Sequence, residues 1–206
     1  MNDSSTGGYI QPVASGQLVE DAALDAVLQG LVSGITGMPG NMVRPRWQLV
    51  PPPQPDQNTD WCAIGVTSED PYPSLGDETH FSADTSGNNP KGLSVTNEWA
   101  ELHILASFYG PNARGNATLF RSGICVAQNR EALYGTGLGL KERPDRIVNV
   151  SYEENQQTVR RYDMEFCLNR TVTRIWPIDD LLSAAGDVVT AEMGSQPFLT
   201  PNIPDP

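Results

Sequence analysis

Residues 95–109 read VTNEWAELHILASFY, and within them Ala100, Leu102, Ile104, Ala106 and Phe108 alternate with Glu101, His103, Leu105 and Ser107. Successive side chains of a strand point to opposite faces. The alternation therefore marks a half-buried antiparallel strand, with one face on a core and the other wet. Residues 158–171 repeat the pattern, with Tyr162, Met164, Phe166 and Leu168 alternating with Arg161, Asp163, Glu165 and Cys167. Their charged outer face predicts cross-strand pairs, for example Arg161 with an acid such as Glu101.

The rest of the chain supplies what such strands need. From Leu18 to Ile35 apolar residues recur at three- and four-residue spacing: Leu18, Ala22, Leu24, Val27, Leu28, Leu31, Val32 and Ile35. This predicts one amphipathic helix lying on a sheet, with Glu20, Asp21 and Asp25 favourably placed near its positive end. Gly34, Gly37 and Pro39 end it. The segment WCAIGVT (61–67) reads as a short strand that pairs with 95–109. Residues 68–94, rich in Gly, Pro, Asp, Ser and Asn, read as a long acidic loop, with room for a small hairpin. Gly110-Pro111-Asn112 breaks the strand and starts a helix carrying Ala113, Ala117, Phe120 and Ile124 on one stripe. Asn129 is expected to cap a second short helix over 130–134, closed by Gly135, Gly137 and Gly139. Residues 138–142 read as a short strand, 146–150 as another or an irregular link, and 179–185 as a short helix. The expected fold is α+β: an antiparallel β-sheet with helices packed on one face. The expected organisation is a flexible N-terminal arm over 1–16, an α+β domain over 17–177 and an acidic C-terminal tail over 178–206.

The chain has 206 residues, with 25 Asp+Glu against 13 Lys+Arg, a formal charge of −12. That charge argues against a wrapping nucleic-acid binder. It is uneven. Residues 101–176 hold ten bases against eight acids, whereas 177–206 hold five acids and no base. The acidity therefore sits in the ends and in 61–100, outside the core. No apolar run approaches the roughly 18 residues of a membrane helix. The N-terminus also lacks the charged and apolar regions of a secretory signal. Cys62, Cys125 and Cys167 are widely spaced and odd in number, which predicts reduced thiols.

No motif predicts catalysis. In GTGLGL (135–140) the last glycine of a GxGxxG pattern falls on Leu140, so the run reads as a turn between helix and strand. His80, in the expected loop, and His103, on the outer strand face, have no metal spacing with Cys or with each other. The acid pairs Glu69–Asp70, Asp77–Glu78 and Asp179–Asp180 lack the EF-hand spacing. No catalytic, metal or cofactor site is expected. The segment Arg44-Pro45-Arg46-Trp47 carries more weight. Arg and Trp are enriched at interface hot spots, and the proline favours an extended backbone that suits docking. A linker whose Trp packs on its own domain is the equal alternative. The excess of Arg (eleven) over Lys (two) suits bidentate, partly buried ion pairs. Arg44, Arg46, Trp47, Trp61, Arg160 and Arg161 are the expected subunit or ring contacts.

Five runs in order, VRPRWQ (43–48), PPPQPDQNTDWCAIGVT (51–67), ELHILASFYGPNARGNATLFRSGI (101–124), QNREAL (128–133) and VRRYDMEFCLNRTVTRIWP (159–177), resemble the neck or tail terminator proteins of tailed bacteriophages with contractile tails. The resemblance implies a virion structural protein and not an enzyme. It implies a homohexameric ring that caps the tail tube and ends tube and sheath polymerisation. It also implies partners in the tube protein, the sheath protein and the head-side connector or collar proteins, with genomic DNA passing through the lumen unbound. Such a protein is assembled in the host cytoplasm and resides in the virion neck. Its family fold, an antiparallel sheet backed by helices, coincides with the reading from the residues. The alternative readings are a head-completion or connector subunit nearer the portal and, less favoured, a small acidic hydrolase.

Overall fold

The two alternating stretches pair with each other. In the computed structural model, which describes residues 9–13, 20–71, 78–84, 91–154 and 156–178, β4 (Lys91–Tyr109) and β9 (Arg161–Ile178) run antiparallel. Their register is unbroken from Tyr109↔Arg161 to Gly92↔Ile178. Around them lie, in chain order, α1 (Asp21–Thr36), β1 (Val43–Pro45), β2 (Trp61–Pro71), β3 (Glu78–Asp84), α2 (Ala113–Gly123), α3 (Ala127–Tyr134), β5 (Leu138–Leu140) and β6 (Ile147–Asn149). A separate small hairpin, β7 (Tyr152–Glu154) with β8 (Gln157–Val159), precedes β9. The main sheet has the order β1-β2-β4-β9-β5, with β3 added to β4 and β6 to β9. Only the β1–β2 pair is parallel. The expected α+β class, with helices over one face of a mostly antiparallel sheet, is what the chain adopts.

The register explains the core. Leu102 sits opposite Leu168, Ile104 opposite Phe166 and Ala106 opposite Met164. On the other side of β4, Cys62 sits opposite Phe108 and Ile64 opposite Ala106. These side chains share one face and are buried together with Leu24, Leu28 and Val32 of α1 and Ala113, Ala117 and Phe120 of α2. The Phe120 ring lies 5.8 Å from Phe108 and 5.7 Å, edge-on, from Phe166, so one α2 side chain ties helix to both central strands. Gly123 permits the close α1–α2 approach, because a Cβ there would meet Ile35 Cγ2 at 2.3 Å. At the β4–α2 turn, Gly110 adopts φ +102, and a Cβ would strike the Thr59 carbonyl oxygen at 2.5 Å. The Asp60 carboxylate holds that turn, accepting from Asn112 N and Nδ2 at 2.8 Å each.

Several expectations are corrected. The stretch 68–94, read as a long loop with room for a small hairpin, contains the end of β2, all of β3 and the start of β4; the hairpin is β3 with β4, antiparallel from Glu78↔Asn97 to Asp84↔Lys91, and the strands leave less loop than expected. His80 therefore lies on a strand. Helix α3 starts at Ala127, so Asn129 does not cap it and instead donates from Nδ2 to the Gly123 carbonyl at 2.8 Å. Strand β9 starts at Arg161 and not at Thr158, which belongs to β8. Within the predicted N-terminal arm, Val13 N donates to Ile175 O (2.8 Å), an isolated bridge on β9. The helix expected over 179–185, the acidic tail beyond Ile178 and most of the N-terminal arm lie outside the described residues.

A β-bulge sets the faces of β2. The register shifts by one residue between Val66↔Ile104 and Ser68↔His103, leaving Thr67 extra. Beyond it Glu69 turns to the helix-covered face and pairs with the buried Arg170 guanidinium (3.4 Å), which Glu20 also meets at 2.5 Å. Pro177 is tolerated in a long strand for a reason visible in its parity. Cys167 O and Ile175 O face away from β4, to Lys141 N and Val13 N, and Pro177 shares their phase, so no β4 hydrogen bond is lost. Phe120→Ala is expected to cost about 3–5 kcal/mol in urea unfolding. A loss below about 1 kcal/mol would mean that the α2–sheet contact is not the keystone described.

Candidate functional site

The solvent-facing side of the sheet carries an aromatic and cationic row across four strands. Arg44 on β1 lies opposite Ala63 and places its guanidinium 5.7 Å from the Trp61 ring centroid. Trp61 on β2 stacks on Tyr109 of β4, with centroids 4.1 Å apart and planes 6° apart. Arg161 of β9, directly opposite Tyr109, sits 5.7 Å from that ring. Cation–π contacts of this kind contribute about 0.5–1 kcal/mol when exposed, and more when shielded from water. Ala63, Tyr109 and Val159 form a small second apolar cluster under the row, with Trp61 against it.

A second row lies one step further along the strands. Arg46 donates to Ser107 Oγ, and Arg161 reaches the same oxygen at 3.3 Å. Arg161 is also forked onto Asp163, Nε to Oδ1 at 2.8 Å and NH2 to Oδ2 at 2.6 Å. Gly65 makes room for this, since a Cβ there would stand 3.0 Å from Arg46 Cβ. Trp47 donates its indole N–H to Val66 O (2.8 Å), yet 70% of it stays exposed. Trp47 is thus anchored to its own domain, while most of its ring faces outward. Leu49 and Val50 follow at 99% and 83% exposure. The segment is held by Arg46 N on Ile64 O (2.8 Å) and by Arg44 NH1 on Pro53 O (2.7 Å).

Five of the six expected contact residues, Arg44, Arg46, Trp47, Trp61 and Arg161, therefore meet on one surface. Arg160 does not join them. It precedes β9 with the opposite parity, and its NH1 donates to Pro111 O at 3.2 Å. Sequence reasoning missed Tyr109, whose strand register alone brings it under Arg161. The expected Arg161–Glu101 pair does not form, because the register sets Arg161 opposite Tyr109 and Glu101 opposite Asn169, far along the ladder; Glu101 binds Lys141 Nζ at 2.7 Å. Burial, eased by Arg161 and Arg46, raises the Tyr109 hydroxyl pKa, and the bond to Asp163 raises that of Arg161.

The same face holds a second polar group. Asp70 Oδ2 lies 3.1 Å from His103 Nε2, and Cys167 Sγ lies 3.3 Å from His103 Nδ1. The arrangement resembles a thiol–imidazole–carboxylate relay, but burial and the acids Glu101, Glu142 and Glu165 raise the Cys167 pKa, with Lys141 opposing. A thiol held protonated is a poor nucleophile. Among the described residues no group of three or more His, Cys, Asp or Glu is arranged to hold a metal ion. Several acids of β2 and β4 are matched by β9: Glu69 with Arg170, and Glu98 with Arg174. All three cysteines are free, and Cys62 is buried.

Burial raises the Cys62 thiol pKa as well as that of Tyr109. Groups whose folded-state pKa lies above the unfolded one favour the fold below the unfolded pKa and lose that contribution as pH rises. The urea midpoint is therefore expected to hold up to about pH 8.5 and fall towards pH 10.5. Maleimide labelling of the native protein at pH 7.5 should reach Cys62 last, and equal labelling of all three thiols would contradict its burial. In comparison with known proteins, the family model described as phage neck terminator protein matches residues 22–192, from α1 past the end of β9. No curated protein matches the chain.

Proposed function

The chain belongs to the phage neck terminator protein family and is thus a structural protein of the phage tail or neck; on that premise we propose that it forms a hexameric ring on the last ring of the tail tube. In this reading the ring ends tube and sheath polymerisation and offers its far side to the head-side connector. DNA passes through the lumen during ejection. One observation carries the reading most: the Arg/Trp/Tyr surface at the β1 side of the sheet, which leads into an exposed and tethered apolar segment. Arg and Trp anchors of this kind dominate binding energy at protein interfaces. A ring requires contacts between two different patches of each copy, closing when the rotation per copy divides a full turn. The net charge of −12 supports passage of DNA without capture, because phosphate binding needs unneutralised cations. The proposal includes the domain limits 17–177. It also includes assembly in the host cytoplasm from the tube, sheath and connector partners.

Single-particle imaging of tails tests the placement. A sixfold ring of this chain directly on the tube is the expected result, whereas a twelvefold ring on the portal would replace this reading with that of a connector. Trp47→Ala and Arg46→Ala are expected to weaken ring formation by about thirtyfold, a hot-spot loss near 2 kcal/mol. Circular dichroism of Trp47→Ala should be unchanged, because Trp47 is mostly exposed. Variants that assemble and cap tubes normally would remove this surface from the interface.

A further inference from the structure

The strand order places two unmatched features at opposite edges of one sheet. At the β1 edge stands the segment Trp47–Val50, apolar, exposed and tethered at both ends. At the β5 edge lies a groove of about 1010 Å³ between α3 and β5, lined by Ala127, Tyr134, Leu138, Gly139, Leu140 and Asn169, among others. Three observations show this groove to be incomplete. Tyr134 on its wall is 79% exposed. Asn169 Oδ1 is buried and accepts no hydrogen bond. Gly139 is the residue of β5 that pairs with Asn169, with Lys141 N reaching Cys167 O in the same phase, so the backbone groups of Leu138 and Leu140 face away from β9. They have no partner among the described residues. Such an edge accepts an extended segment by strand addition, and an apolar trough beside it takes that segment's side chains.

We propose that the groove of one copy receives the Trp47–Val50 segment of the next copy, with Leu49 and Val50 seated between α3 and β5. This rests on the ring reading and names the two patches that it needs. The occupant is argued from the chain itself. The segment is apolar where the groove is apolar, and its backbone N–H groups can supply the donors that Asn169 Oδ1 and the β5 carbonyls lack. It is tethered by Arg44, Arg46 and Trp47, which limits the freedom lost on docking, and its bends at Leu49 and Val50 straighten on pairing with β5. A copy cannot fill its own groove, because β2, β4 and β9 separate the two edges by about 19 Å at the usual strand spacing. Contact between one edge and the other is head-to-tail, the kind that builds rings.

The test mixes two full-length proteins, Val50→Cys and Gly139→Cys, under mild oxidation. Gly139 has open space where its Cβ would stand, so the thiol is accommodated. The expected result is a disulfide between the two introduced thiols, identified by peptide mass and absent when either variant is mixed with wild type. In parallel, Leu49→Asp and Gly139→Glu should each weaken self-association about tenfold or more by native mass spectrometry, with unchanged melting temperature. Wild-type rings that form without the cross-link and are indifferent to both charges would overturn this contact while leaving the ring reading intact. A wild type that stays monomeric on its own and on purified tubes would overturn the ring reading, and this proposal with it.

Discussion

The β4–β9 ladder is the constraint on which everything else depends. Its register decides which residues share a face over 18 consecutive pairs. With that register and the one between β2 and β4, five apolar pairs and three helices make one core. A slip of β9 by one residue against β4 would put Glu165 and Cys167 under the helices and Phe166 and Leu168 in water. The same register assembles the outer surface, since Tyr109 meets Arg161 only because those residues are opposed. Core and outer aromatic surface are two sides of one alignment.

Much of this was legible in the residues. The period-two runs over 100–108 and 162–168 located the central strands and their inner faces, and the spacing of Leu24, Leu28 and Val32 located α1. The stretch 68–94 misled because its composition is that of turns, while its pairing is set by β4, a partner whose influence no local pattern reports. The bulge at Thr67 hid the rest, because an extra residue reverses the parity by which Glu69 would be read.

The Arg/Trp/Tyr surface was half legible for a related reason. Arg44, Arg46 and Trp47 are neighbours in sequence, so their clustering required no fold. Arg160 and Arg161 are equally adjacent, yet strand geometry sends them to opposite sides, and only Arg161 reaches the aromatic row. The thiol and imidazole of Cys167 and His103 meet 64 residues apart because both occupy outward positions of directly paired strands. Charge showed the same limit: the acids of 61–100 looked like a free negative surface until β9 supplied Arg170 and Arg174 beside them.

The length of the central ladder has a mechanical meaning. Any load on a structural protein of the tail or neck reaches this ladder in one of two directions. Pulled along the strand axis, the hydrogen bonds of β4 and β9 bear the load together and must fail together. Pulled across it, they open one at a time, each worth only about 1 kcal/mol net. A protein with this ladder is therefore strong in one direction and weak at right angles to it. How its strands lie relative to the tail axis decides which of those two materials the virion is built from.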